Sequence, residues 1–360
     1  MSIQNLPLAE KTPIKNWAFE DLTIAEGATT TDLSQLNMTD NMVVIVDGTV
    51  VHQQVESGIL IQTTAELTLT DYNKLMLLNK EKRNSVLQVE VDKQRVVTKP
   101  LNVIILSKQR SLIHSSVVHL HEGAELNYTE HYIGEAQANA NIVTQFVVEA
   151  NAKLTTNIIN ELAAGTVVYH HKTAQVDANG VLDATNFMIN DTDMVFEDLT
   201  YLNGKGSEAE TKTVSIASGA QKQNLTVRIE NDAHNSVGNI INYGITKDTA
   251  HLAFNGVGKI QKDAKRCDNQ QETRLLNLSK TAEAIANPFL LIDEGDITAG
   301  HAASIGQLDE EQIYYLMSRG MSRAAASKLI VSGFLAPFVD ALDDESMKEA
   351  LSARIAKKLG

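Results

Sequence analysis

Glu122-Gly-Ala-Glu-Leu126, Ala150-Asn-Ala-Lys-Leu154 and Ala178-Asn-Gly-Val-Leu182 are three versions of one pattern, each starting 28 residues after the last. An acidic or small residue leads into Gly, Asn or Ala, and a short apolar run follows. Two shifted versions come later, at Ser218-Gly-Ala-Gln-Lys222 and Lys247-Asp-Thr-Ala-His251. Around them, from about residue 85 to 292, one short strand-like run succeeds another. A period in the twenties with strand character denotes a solenoid. Each coil cannot bury its apolar face alone, and stacking on the next coil satisfies both the backbone and the apolar rows. A parallel β-helix is therefore expected, with a β-sandwich as the competing reading.

Working outward, Met42-Val-Val-Ile-Val-Asp-Gly-Thr-Val-Val51 places two β-branched runs around Asp47-Gly48, a pair favoured in type I′ hairpin turns. Glu66–Arg83 mixes Leu and Lys at helical spacing and predicts a short helix. Residues 1–40, with Pro7, Pro13 and Trp17-Ala-Phe19, read as a helical or irregular cap. Downstream, the architecture changes near Gly306. Asp309 is suited to cap a helix over Gln307–Arg319, Gln312 stands at the capping-box position, and Gly320 can end it. Ser322 can cap a second helix to about Leu335, which Pro337 is expected to kink or end. A third starts near Asp344 and carries Leu351, Ile355 and Leu359. The expected units are a cap region 1–84, a β-helix core 85–305 and a helical subdomain 306–360, the last closing one end of the solenoid.

The junction also carries a resemblance. Gly300-His301-Ala302-Ala303-Ser304, Gly306-Gln307-Leu308-Asp309-Glu310-Glu311 and Tyr315-Leu316-Met317-Ser318-Arg319-Gly320 resemble the C-terminal signature of the SufB/SufD proteins of iron–sulfur cluster assembly. Arg274-Leu-Leu-Asn-Leu278 is similar to a second element of that family. Where many relatives carry Cys, this chain has Ala299. The short chain and the missing scaffold cysteine make it more like SufD than SufB.

The resemblance implies a right-handed parallel β-helix and a non-catalytic scaffold subunit of the SUF system. It implies pairing with a SufB-like paralogue through the β-helix, and binding of the SufC ABC-type ATPase, which would hydrolyse the ATP, through the C-terminal helices. Tyr315, Leu316, Arg319, Leu329, Ile330, Phe334 and Phe338 are the expected docking residues. His301 is the expected ligand of a transient iron–sulfur cluster formed with the partner, no cofactor being held stably by this chain alone. A SufB-like scaffold and a homodimeric β-solenoid are the alternatives.

Composition bounds the function independently. A net charge of −14 argues against nucleic acid and against anionic membrane surfaces as partners. No run of about 18 apolar residues is present. The N-terminus does not read as a signal peptide, and a lone cysteine, Cys267, forms no internal disulfide, so a reducing cytoplasm is expected. Gly204-Lys-Gly206 and Gly256-Val-Gly-Lys259 lack the spacing of a phosphate-binding loop. One thiol alone cannot hold an iron–sulfur cluster. Scattered acids without a stacking aromatic series speak against a polysaccharide-cleaving β-helix enzyme.

Among ten histidines, His119 and His121 alternate and could chelate from one face of a strand, with His131 near in sequence. The adjacent His170 and His171 point to opposite faces. His251 is expected to pack or hydrogen-bond in the coil stack. Cys267, beside Lys265 and Arg266, reads as an ordinary thiol.

Overall fold

The computed structural model describes residues 38–64, 73–108, 111–134, 139–163, 167–342 and 344–359. All but the last three residues of the expected 1–40 cap lie outside them, as does the first part of the predicted 66–83 helix. The chain opens with β1 (Met42–Val46), β2 (Thr49–Gln54), β3 (Ile59–Gln62), α1 (Lys74–Lys82) and β4 (Ser85–Val91). Asp47 and Gly48 both adopt positive φ, 46° and 86°, which makes the predicted hairpin turn between β1 and β2. Asn73 caps α1, its side-chain oxygen accepting from the amides of Leu75 and Met76.

The strands then run β5 (Leu101–Ser107), β6 (Ser111–Leu120), β7 (Glu125–Gly134), β8 (Asn139–Val148), β9 (Lys153–Leu162), β10 (Val167–Val176), β11 (Val181–Met188) and β12 (Asp193–Leu202). They continue as β13 (Glu208–Ala217), β14 (Lys222–Asn231), β15 (Val237–Thr246), β16 (His251–Ile260), β17 (Cys267–Asn277), β18 (Glu283–Ile292) and β19 (Ile297–Gln307). Odd strands from β5 onward stack in parallel in one sheet and even strands from β4 onward in another, so each coil contributes one strand to each. The result is a parallel β-helix of about seven turns. The sheets extend past residue 84 toward the N-terminus. β1 pairs in parallel with β5, and β2 and β3 close that end as antiparallel strands.

The corners explain the repeat. After each even strand from β6 to β16 a residue enters the left-handed region: Gly123, Asn151, Asn179, Gly206, Asn235 and Arg266, with φ between 53° and 71°. Their amides form a ladder, Gly123 donating to the Ala150 carbonyl, Asn151 to Ala178, Asn179 to Lys205, Gly206 to His234 and Asn235 to Lys265, at 2.9–3.1 Å. Gly and Asn recur because they tolerate this conformation best. Ser218-Gly219 and Lys247-Asp248 belong to the opposite corner, so the later pattern seemed shifted. The true continuation runs through Gly206 and Asn235.

Inside, Leu225, Val227 and Ile229 of β14 stack with Leu252 and Phe254 of β16 and their counterparts in a continuous apolar core. Three helices follow: α2 (Glu310–Ser318), α3 (Arg323–Val339) and α4 (Glu345–Leu359). Asp309 caps α2 and Ser322 caps α3, as their sequences predict. Pro337 does not end α3, which runs two residues beyond it; so close to the C-terminus, the lost amide costs a single ladder bond.

The helices do not close the solenoid's end. α3 and α4 lie along the outer face of the odd-strand sheet, where Val331, Leu335, Phe338, Leu351, Ile355 and Leu359 meet Ile159, Phe187, Val214, Ile216 and Ile245. Segments such as Phe187–Ile189, at the end of β11, are apolar on both faces, and that outward surface is buried only if helices cover it. α1 does the same for the other sheet, packing Leu75, Met76 and Leu78 on Ile113, Val117, Val143 and Val195. The β18–β19 end stays uncovered by any further strand among the described residues.

Candidate functional site

His301 stands in the middle of β19, opposite Gln271 of β17, with its side chain exposed. Among the described residues β19 is the terminal strand of its sheet, with no strand paired on its outer edge, and such an edge is of the kind that accepts another chain. The neighbours of His301 are small. At Gly300 a Cβ would lie 2.7 Å from Gln270 Oε1, so a side chain there would displace the end of the Gln270 side chain. Ala299 packs toward the cluster formed by Ile260, Ala264 and Cys267.

α2 emerges from the end of β19 and is largely exposed, only Ile313 being buried. Tyr315, Leu316 and Ile330 line a shallow groove of about 410 Å³, rimmed by Asp309, Glu311 and Gln312. The Arg319 guanidinium lies 5.2 Å from the Tyr315 ring centre and donates to its hydroxyl at 3.2 Å. Leu329 of α3, adjacent in sequence to Ile330, is 52% exposed. Of the expected docking residues, Tyr315, Leu316, Arg319 and Ile330 share one surface. Phe338 and Phe334 do not join it. Phe338 is buried, and both rings pack on Tyr243 of β15 at 4.6 and 4.8 Å between centres. They fasten α3 to the solenoid, because that apolar sheet face needs rings to cover it.

The remaining candidates separate. The Cys267 thiol is buried and donates to the Ala233 carbonyl at 3.1 Å, a structural placement. His251 pairs with Glu283 at 2.7 Å across adjacent coils, as expected. His170 points inward and His171 outward, to Glu197 at 3.0 Å. His131 lies on the other sheet from His119 and pairs with Glu161 at 3.2 Å. His119 and His121 do converge, on Glu149 of the next coil.

A polar file inside the solenoid escaped sequence reasoning. Thr144 bonds His170 Nε2 at 3.1 Å, Asn160 meets His170 Nδ1 at 3.2 Å, and His114 lies 3.6 Å from Glu130. One coil on, Lys172 pairs with Asp198 at 2.7 Å and donates to Asn186 at 3.2 Å, all fully buried. The signal was in the alternation of β10, where Val168, His170, Lys172, Ala174 and Val176 share the inward parity. Burial pushes the His170 imidazole well below its ordinary range, and the Lys172 charge adds to this.

Comparison with known proteins agrees with this architecture. Residues 103–334 match the family described as SUF system FeS cluster assembly, SufBD core domain. The chain is 35% identical over 295 residues to the iron–sulfur cluster assembly protein SufD of Bacillus subtilis, covering 80% of this chain and 68% of that protein. It is 28% identical over 244 residues to the SufD of Escherichia coli, covering 67% and 57%. A SufBD family protein of Staphylococcus saprophyticus is 26% identical over 289 residues, covering 76% and 60%. The chain thus spans between about three fifths and two thirds of these relatives. A parallel β-helix with a helical C-terminal layer and an exposed terminal strand is, with these matches, a SufBD fold, and the chain belongs to the SufBD core family. Within that family it is most like SufD.

Proposed function

We propose that this chain is a SufD-like, non-catalytic subunit of an iron–sulfur cluster assembly scaffold. The observation that carries the reading is the free edge of β19 with His301 exposed upon it. A SufB-like paralogue pairs along that edge, by backbone hydrogen bonds and burial of side chains such as Ile305, which is 52% exposed. A nascent cluster, the cargo of the complex, forms at the junction with His301 as one ligand. Neutral imidazole suits iron, and the partner supplies the thiolates this chain lacks. The surface of Tyr315, Leu316, Arg319, Leu329 and Ile330 docks a SufC-type ATPase, whose nucleotide cycle moves the scaffold.

The test is co-expression of the chain with a SufB-like paralogue and a small ABC-type ATPase. All three co-purify. Tyr315→Ala with Leu329→Asp releases the ATPase and keeps the paralogue. His301→Ala retains the complex and loses cluster formation when iron and sulfide are supplied. A chain that purifies alone, as a homo-oligomer without either partner, sinks the reading.

A further inference from the structure

At one corner of the solenoid, far in sequence from His301, three side chains with metal-binding chemistry meet. His119 is the penultimate residue of β6 and faces outward; His121 follows the strand by one residue and points the same way. In the next coil, β8 lies in register so that His119 pairs with Val147, which brings Glu149 alongside His121. Glu149 Oε1 is 2.8 Å from His119 Nε2 and 3.0 Å from His121 Nδ1. Its other oxygen accepts the Glu122 backbone amide at 2.9 Å, which fixes the carboxylate. The two imidazole centres are 4.3 Å apart.

We propose that His119, His121 and Glu149 form a binding site for a first-row divalent transition-metal ion. Three observations favour this over a pair of ordinary surface hydrogen bonds. Elsewhere, at His131–Glu161 and His251–Glu283, a single imidazole meets its carboxylate. Here two imidazoles converge on one oxygen, the one such group among the described residues whose ligand atoms all lie within 4.8 Å of each other. The spacing also fits. A tetrahedral ion with bonds of about 2.1 Å sets its ligand atoms about 3.4 Å apart, so each contact need open by only about 0.5 Å.

The donor set selects the ion. Two imidazoles and one carboxylate suit zinc, iron(II), cobalt or nickel, whereas calcium and magnesium prefer oxygen alone. The Glu122 amide bond to the second carboxylate oxygen does not involve the oxygen that faces the imidazoles, so that oxygen is the one offered to an ion. Ion binding moves each imidazole proton to the far ring nitrogen, which neutral histidine permits. Glu122 stays outside the set, since its carboxylate pairs with Lys93 at 2.5 Å. The side chains of His119, His121 and Glu149 are 27%, 36% and 34% exposed, so the remaining coordination positions open to water and the ion exchanges. This site does not depend on the assembly role proposed above.

The test uses the tag-free full chain, calorimetric titration with Zn²⁺ and the visible absorption of added Co²⁺. Saturable binding of one equivalent is expected, weakened at least about tenfold in His119→Ala, His121→Ala and Glu149→Gln. His251→Ala, which removes an unrelated surface imidazole, binds as the parent does. Zinc shifts the ring-nitrogen resonances of His119 and His121 ahead of those of other histidines. Glu149→Gln keeps an acceptor for the Glu122 amide, so its loss of binding does not reflect a disrupted corner. No saturable uptake below about 1 mM, or parental affinity in the three variants, overturns the site.

Discussion

His170 sits at zero exposure between coils, held by Thr144 and Asn160. Burial first, then the charges of Lys172, His171 and His114, depress its pKa. In the unfolded chain a histidine titrates near about 6.5. Below that pH the unfolded chain takes up a proton that native His170 refuses, so stability falls as pH falls through this window. The urea midpoint is expected to be lower at pH 5.5 than at pH 7.5, with a smaller difference in His170→Gln. An unchanged pH dependence in that variant would refute the assignment. Lys172 and Asp198, equally buried, are worth little as a pair but costly to separate. That these residues face inward was legible in the parity of β10. That they would find partners was not, because the partners come from other strands.

At the scale of elements, the succession of short strands, the β1–β2 hairpin and the caps of α2 and α3 were readable, since each rests on residues close in sequence. The position of α3 and α4 was not. Their apolar faces were visible, but an apolar helix face does not say which surface it will cover. Phe338 settles against Tyr243 and the β11–β15 face in a cluster separate from the solenoid interior. Phe338→Ala is expected to weaken the helical layer by about 3–5 kcal/mol. Hydrogen exchange should then quicken in α3 and α4 while the amides of β6–β16 keep their protection. Uniform quickening across the solenoid would show that the two layers unfold as one.

For the molecule as a whole, the two ends differ. One is closed by the antiparallel strands β2 and β3. The other ends at β18 and β19, with Ile285, Leu291 and Ile305 exposed. A charge on an edge strand opposes further pairing. Ile305→Lys is therefore expected to weaken association with a SufB-like partner at least about tenfold, without lowering the melting temperature of the isolated chain. Sedimentation of mixtures across a concentration series measures it, and unaltered association in the variant would move the partner surface away from β19. Among the described residues no helix is long and apolar enough to cross a membrane.

The sequence by itself determined the coil. Gly and Asn at left-handed corners, alternation along each strand and capping residues at each helix act within a few residues of chain, and so they can be read along it. Through resemblance to a family it also marked His301, and seven residues of α2 and α3, as candidates. Only the tertiary structure decided that the helices lie along the flank and leave the end free, and that Phe334 and Phe338 face inward. It alone decided that Glu149 completes the pair of His119 and His121. Those outcomes depend on the register between coils, where a residue meets a neighbour some 28 positions away, and register is set by the stacking of the whole solenoid and not by any one segment.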